Sequence, residues 1–252
     1  MNTQHFFREG EALLQELESI YDAHMKLEEG LPLVLSLWTL HTHMYKYFRI
    51  TPYLWINSPV RGCGKTTLCT LLHSLSANAH YTVGISKAAL YRIIETLAPT
   101  LVLDEAEGTL NDRDMLALVN AGYSRATGTV VRAYRDGLRS YQVFCPKIIS
   151  SIKPVPHTIV DRSIKIELQR LLETDMVAPL HEDDESLGQD LLPKMHGWVE
   201  QYRGISRALT VHPISVPAPS TPGKRTFGVP CSRSHMCCAR AAWRNCKRQR
   251  CD

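Results

Sequence analysis

The 252-residue sequence lacks an apolar run long enough to cross a bilayer and lacks the apolar start of a secretory signal. Its longest apolar stretch, Leu31–Leu40, is interrupted by Ser36, whereas a membrane-spanning helix needs about 20 apolar residues. Residues 1–10 are mostly polar, with Phe6 and Phe7 as the apolar exceptions. These absences predict a cytoplasmic protein with no membrane partner.

The body of the chain also lacks a basic excess. The chain has 29 Lys and Arg against 25 Asp and Glu, a formal charge of +4. Residues 205–252 hold nine of the basic residues against Asp252 alone, which gives this segment +8 and leaves the rest at −4. A mildly acidic body gives no general electrostatic support for nucleic-acid binding. The hydrophobic content of 44% is nevertheless enough to bury a sizeable core.

Residues 57–67, Asn-Ser-Pro-Val-Arg-Gly-Cys-Gly-Lys-Thr-Thr, follow the apolar run 53–56 and predict a strand, a phosphate loop and a helix. The glycines let the backbone curl round a phosphate, Lys65 supplies a cation and Thr66 a hydroxyl for Mg²⁺. Pro59 stands where the usual pattern has glycine, and the alternative is a chance Gly-Lys-Thr turn. We expect ATP to contact Gly62, Cys63, Gly64, Lys65, Thr66 and Thr67.

A second pattern, Thr100-Leu101-Val102-Leu103-Asp104-Glu105, predicts a buried strand that ends in two carboxylates. At such a position Asp104 would hold Mg²⁺ with Thr66, and Glu105 would polarise the attacking water. An isolated Asp-Glu after a strand can equally be a solvated acidic turn. Its place 39 residues after Lys65, within an α/β pattern, favours hydrolysis of the nucleotide.

The strand and helix signals alternate along the middle of the chain, which predicts a parallel sheet covered by helices. Helices are expected at 11–25 (ended by Gly30), 34–47, 66–75, 87–97 (capped by Ser86) and 111–122, and a short strand is expected at 81–85. His41 and His43 could suggest a metal, but two positions apart on a helix they point to different faces. Packing roles are the alternative that we favour for both.

Residues 129–134 and 138–144 predict two strands of a hairpin joined by Asp136-Gly137. Four arginines lie on the hairpin or its approach: Arg125, Arg132, Arg135 and Arg139. They would suit the backbone of single-stranded DNA in the channel of a ring ATPase, or they are simply the outer charges of a solvated ribbon.

Two further positions near buried strands are candidates for the nucleotide site. Ser150 ends the strand 147–151, where a polar residue could sense the γ-phosphate. Arg162 precedes the last strand, 163–168, and could reach a phosphate on a neighbouring subunit. The alternative for Arg162 is a surface ion pair with Asp161.

Residues 210–252 show no apolar period and contain five of the eight cysteines, with no C-x₂-C pair. The segment could be a zinc site, a basic nucleic-acid tail or, least in keeping with an intracellular protein, a disulfide framework. We favour a disordered product of a shifted reading frame. The expected segments are N-terminal helices (1–48), an ATPase core (49–170), an acidic linker with the start of a helical lid (171–209) and this tail (210–252).

Four patterns together resemble one family of bacterial, phage and plasmid ATPases: those around Lys65 and Asp104, Cys145-Pro146-Lys147, and Asp161-Arg162-Ser163-Ile164. This family was once known as a domain of unknown function, and its members are often described as DNA primase/helicase proteins. The likeness covers about residues 30–205. It implies a P-loop NTPase fold of the AAA+ or superfamily-3-like kind, ATP and Mg²⁺ as cofactors, a hexamer-like ring and a role in DNA replication of a mobile element.

Three functions remain open from the sequence. The first is a ring ATPase that acts on DNA as a helicase. The second is a nucleotide-dependent switch or loader that separates no strands, which the acidic body favours. The third is a truncated remnant that binds nucleotide at most.

Overall fold

The computed structural model describes residues 3–58, 62–170, 176–180 and 187–209. In chain order the elements are α1 (Thr3–His24), α2 (Leu31–Met44), a 3₁₀ turn (Tyr45–Tyr47), β1 (Tyr53–Asn57), α3 (Lys65–Leu75), β2 (Ala79–Val83), α4 (Lys87–Leu97), β3 (Thr100–Asp104), α5 (Ala106–Leu110), α6 (Arg113–Ala121), β4 (Thr129–Tyr134), β5 (Gly137–Gln142), β6 (Lys147–Ser151), α7 (His157–Val160), β7 (Ser163–Glu167) and α8 (Leu191–Leu209).

A five-stranded parallel sheet in the order β2-β3-β6-β1-β7 organises these elements. The predicted helix-covered parallel sheet is therefore confirmed. Strand β6 lies between β1 and β3, with Trp55 opposite Ile149 on one side and Leu103 opposite Ile149 on the other. Since all five strands are parallel, the chain leaves β1, β3 and β6 at the same edge of the sheet, and the residues that follow them are neighbours.

One face of the sheet is covered by α1, α2, α3 and α8 in a single hydrophobic core. Leu17, Leu35, Leu72 and Met195, one from each helix, are fully buried there. The predicted start of a lid, α8, packs on α1: Lys194 pairs with Glu16 at 3.0 Å. Met195 and Trp198 of α8 join the same core, and the Trp198 indole donates to the Phe6 carbonyl of α1 at 3.0 Å. In the described part of the chain, no helix has the length and apolar content to cross a membrane.

The opposite face is covered by α4, α5, α6 and α7. Tyr53 is fully buried and donates from its hydroxyl to the Val119 carbonyl of α6 at 2.6 Å. Lys147, which opens β6, is also fully buried, and its Nζ donates to the carbonyls of Val143 at 3.2 Å and Cys145 at 3.1 Å. Burial lowers the pKa of Lys147, because the charged ammonium is removed from water.

Strands β4 and β5 form a separate two-stranded antiparallel hairpin. Tyr134 pairs with Gly137, so the two turn residues are Arg135 and Asp136. The predicted Asp136-Gly137 turn was therefore one residue late. Gly137 opens β5 with φ +128, a value that side chains rarely allow, and this explains why glycine lies beside the turn.

Several predicted boundaries need correction. Helix α1 already ends at His24, and Gly30, with φ +85, is the N-cap of α2 rather than the end of α1. Strand β2 lies two residues earlier than the expected 81–85. The expected helix 111–122 is α6, which starts at Arg113 because Asp112 caps it through the amides of Asp114 and Met115. The tail 210–252 and most of the acidic linker lie outside the described residues.

The two helical histidines have the packing roles that we favoured. His41 Nε2 lies 3.0 Å from Thr51 Oγ1, and His43 Nε2 lies 3.0 Å from the Leu75 carbonyl. Burial lowers the pKa of both, that of His41 to about 4. Among the described residues, no group of three His, Cys, Asp or Glu is placed to hold a metal ion.

Candidate nucleotide site

The described part of the connection from β1 to α3 contains two glycines with positive φ. Gly62 and Gly64 both have φ +77, and Gly64 is the N-cap of α3, which begins at Lys65. No side chain caps this helix end. The amides of a first helical turn have no partner inside the helix and carry the positive end of its dipole, so they favour an anion. Residues 59–61, including Pro59, lie outside the described residues.

Both the backbone angle and the surroundings of Gly64 favour glycine at this position. A Cβ there would lie 3.2 Å from Met25 Cε, so a larger residue would meet the side chain that covers the loop. Within the loop the Cys63 side chain is buried, whereas Thr66 is exposed and Lys65 and Thr67 are half-buried. The side chains expected to meet phosphate and Mg²⁺ therefore remain accessible at the start of α3.

Asp104 ends β3 at the same edge of the sheet. Its Oδ2 accepts a 2.5 Å hydrogen bond from the Tyr81 hydroxyl, and its Oδ1 accepts a 3.0 Å bond from the Glu105 amide. Partial burial opposes ionisation, but these bonds, nearby Ser150 and the charge of Lys65 outweigh it and lower the pKa of Asp104. A carboxylate that stays ionised near Lys65 and α3 suits a cation held beside a phosphate.

Ser150 lies on β6, between β1, which leads to Lys65, and β3, which ends in Asp104. Its Oγ is buried and makes no hydrogen bond of normal geometry, although it lies close enough to Asp104 to favour the ionised carboxylate. Below it, on α3, burial and then the charge of Asp104 raise the pKa of the Cys69 thiol to about 12. Cys69 is therefore a protonated packing group, and Ser150 is a buried hydroxyl with spare hydrogen-bonding capacity.

Glu105 is exposed and is the N-cap of α5. Its backbone has φ 49 and ψ 42, in the left-handed region, which costs a residue with a side chain about 1 kcal/mol or more. This conformation turns the chain sharply directly after Asp104. The two carboxylates consequently occupy different surroundings, Asp104 hydrogen-bonded and partly buried, Glu105 free in solvent.

Arg162 lies at the opposite edge of the sheet, because it precedes β7 whereas the phosphate loop follows the parallel strand β1. Its guanidinium donates to the Thr158 carbonyl at 2.6 Å and lies over the Tyr123 ring at 5.6 Å. It makes no ion pair with Asp161 among the described residues. The structure therefore brings Lys65, Thr66, Asp104, Glu105 and Ser150 together and leaves Arg162 away from them within one chain.

A small cavity of about 110 Å³ lies beside the phosphate loop. Cys63, Gly64 and Thr67 form one wall, and the end of α1 and residues 177–180 form the other. The Ala178 amide donates to the Ala23 carbonyl at 2.8 Å, which ties residues 176–180 to α1. The cavity holds only a few waters at roughly 30 Å³ each.

The hairpin carries a cluster of tyrosines, Tyr91 from α4 with Tyr134 and Tyr141, named here the tyrosine cluster. The Tyr134 hydroxyl lies 2.8 Å from that of Tyr141 and 3.2 Å from that of Tyr91. Hydrogen bonds from Tyr141, Tyr91 and then Arg92 lower the pKa of Tyr134 to about 8. No pattern in the sequence predicts this cluster, because its members are 43 and 7 residues apart and come together only through the hairpin.

The four hairpin arginines have different surroundings. Arg132 lies over the Tyr91 ring at 5.6 Å, and Arg139 lies over the Tyr134 ring at 5.0 Å while pairing with Asp136 at 2.6 Å. Arg125 donates to the Lys46 carbonyl and lies over the Phe144 ring at 5.3 Å. Arg125 thus has a structural role, Arg132 is half-buried, and Arg135 and Arg139 are exposed on the hairpin.

Comparisons with known proteins add no assignment: no family model matches the chain, and no curated protein sequence matches it.

Proposed function

We propose that the protein is a P-loop NTPase of the AAA+ or superfamily-3-like kind that binds ATP with Mg²⁺ and hydrolyses it. One observation carries the proposal: Lys65, which opens the helix after β1, and the ionised Asp104, which ends β3, lie at one edge of a parallel sheet, and the buried hydroxyl of Ser150 lies on β6 between these two strands. Ligands of open α/β sheets bind at this edge, outside the carboxyl ends of the strands.

The residues present fit a magnesium nucleotide. The amides of residues 62–67 and the Lys65 ammonium would bind the phosphates, and the Thr66 hydroxyl and Asp104 would hold Mg²⁺. Ser150 Oγ, buried without a hydrogen bond of normal geometry, supports this fit because a phosphate oxygen nearby would satisfy it. When bound, Mg²⁺ neutralises charge that develops on the transferred phosphoryl group.

Glu105 is proposed to orient and polarise the attacking water. Its carboxylate is exposed at the same edge, and its left-handed backbone is the kind of local strain that concentrates at functional sites. Asp104 accepts two hydrogen bonds and is proposed to bind the cation. The difference between the two environments supports different roles for the two acids.

The hairpin is proposed to contact single-stranded DNA. Exposed Arg135 and Arg139 and half-buried Arg132 would follow the phosphate backbone. By the resemblance noted from the sequence, this activity would serve replication of a mobile element as a helicase-like ring. Arg162, remote from its own site, would then act on the nucleotide of the adjacent subunit.

ATP hydrolysis by purified protein, with and without single-stranded DNA, tests this function. We expect magnesium-dependent turnover stimulated by DNA, and we expect Glu105→Gln to bind ATP without turning it over. A matched control is Glu18→Gln, which changes a half-buried glutamate on α1, a helix that supplies none of the proposed site residues. Equal rates in wild type and Glu105→Gln would remove Glu105 from the mechanism.

Strand separation measured in parallel distinguishes the alternatives. Turnover with DNA unwinding supports the helicase. Turnover without unwinding supports the switch or loader. Binding without turnover under every condition leaves the inactive remnant.

A further inference from the structure

The hydroxyl of Tyr81 lies on the carboxylate of Asp104. The Tyr81 hydroxyl donates to Asp104 Oδ2 at 2.5 Å, a short distance typical of a hydrogen bond to a charged acceptor. We infer that Tyr81 is a positioning residue, which fixes the Asp104 carboxylate for the magnesium ion of the bound nucleotide. This inference rests on the proposed nucleotide function.

The sheet holds the two side chains in this relation. In the pairing of β2 with β3, Tyr81 is opposite Val102, so Asp104 lies two residues further along on the same face. A diagonal pair of this kind is within reach of a long aromatic side chain. The Tyr81 ring also lies edge-on to the His73 ring of α3, with centroids 6.0 Å apart, and packs against the α3 core. The phenol therefore cannot turn away without losing packing.

The two hydrogen bonds on Asp104 act at different oxygens. Tyr81 donates to Oδ2 and the Glu105 amide donates to Oδ1, so rotation of the carboxylate breaks both. An ionised carboxylate has about four lone-pair sites, so each oxygen keeps capacity for Mg²⁺ or a water bound to it. Removing the phenol hydroxyl takes away the hydrogen bond at Oδ2 and leaves the carboxylate less firmly oriented, so that the metal would have to order it on binding.

The test is Tyr81→Phe, which keeps the ring and removes the hydroxyl. Metal binding is followed by the loss of the free Mn²⁺ EPR signal, with Mn²⁺ titrated into protein saturated with a non-hydrolysable ATP analogue. We expect the Mn²⁺ concentration for half-saturation to rise about 10- to 100-fold, the usual effect of losing a group that orients a metal ligand. Binding of the analogue without metal, and the unfolding temperature, should stay close to wild type.

The matched control is Tyr45→Phe, which removes a phenol hydroxyl bonded to the Ala98 carbonyl at 3.2 Å, outside the site. It should leave the metal titration unchanged. An unchanged or tighter metal affinity in Tyr81→Phe would overturn the inference, and the tighter result would mean that the phenol competes with the metal for Asp104.

Asp104→Asn separates this inference from the function on which it rests. One outcome refutes the role of Tyr81 alone: wild type binds metal in the presence of the analogue, Asp104→Asn loses this metal binding, and Tyr81→Phe binds the metal as tightly as wild type. If wild type shows no metal binding that depends on the analogue, the proposed function and the role of Tyr81 fail together.

Discussion

Replacing Gly122 by alanine tests the packing of β6 against α6. Gly122 ends α6 with φ −75, an ordinary backbone angle at which alanine is normally preferred by up to about 1 kcal/mol. A Cβ there would, however, lie 2.2 Å from the Val143 carbonyl oxygen and 2.4 Å from Lys147 Nζ. Backbone propensity thus predicts that Gly122→Ala stabilises the protein, whereas packing predicts that it destabilises the protein.

The packing effect should be the larger. Real Cβ atoms do not approach closer than about 3 Å, so the Val143 carbonyl must move and its hydrogen bond from buried Lys147 must lengthen. Overpacking typically costs about 1–3 kcal/mol, and weakening a buried hydrogen bond costs about 1 kcal/mol more. Net of the backbone gain, we expect Gly122→Ala to lower the free energy of unfolding by roughly 1–3 kcal/mol.

Urea unfolding followed by tryptophan fluorescence measures this change. The matched control is Gly197→Ala in α8, where a Cβ meets nothing within 4 Å and the helix should be stabilised by up to about 1 kcal/mol. If Gly122→Ala is as stable as wild type or more stable, the close approach of α6 to Val143 and Lys147 is wrong.

Two further outcomes follow from buried His41 and from Arg162. Because burial lowers the pKa of His41 to about 4 from 6.5, the unfolded chain takes up the proton first, so stability is lost as pH falls from 6.5 towards 4. At pH 5, His41 should lower the free energy of unfolding by about 2 kcal/mol relative to neutral pH. His41→Asn should therefore reduce the pH dependence of the free energy of urea unfolding between pH 7.5 and 5. An equal pH dependence in both proteins would contradict this role of His41. For Arg162, mixing the inactive variants Lys65→Ala and Arg162→Ala should restore part of the ATPase activity if Arg162 completes a neighbour's site, and no recovery under proven co-assembly would rule that role out.

Local signals in the sequence predicted the elements that carry the site. Strands β3 and β6 have the expected bounds because each is a short apolar run with clear flanking signals. Helix α4 begins after Ser86, whose Oγ accepts from the Ala89 amide at 3.3 Å. Short-range capping and periodicity suffice for such features.

Long-range pairing could not be predicted in the same way. Nothing in the apolar runs indicates that β2 pairs with β3, so the contact of Tyr81 with Asp104 was missed although both strands were expected. Lysine is usually a surface residue, yet Lys147 is buried. Two backbone carbonyls accept hydrogen bonds from its ammonium, and the Tyr53 ring packs against it. The packing of α8 on α1 joins residues almost 200 positions apart, which a periodic pattern does not encode.

The central claim is that magnesium nucleotide binds at residues 62–67. Isothermal titration of a non-hydrolysable ATP analogue with Mg²⁺ tests it on wild type, Lys65→Ala and the control Lys194→Ala, whose lysine pairs with Glu16 on α1. We predict one site per chain in wild type and Lys194→Ala, and loss of binding in Lys65→Ala because backbone dipoles alone do not neutralise the phosphate charge. Equal binding by all three proteins, or none by wild type, would contradict the claim.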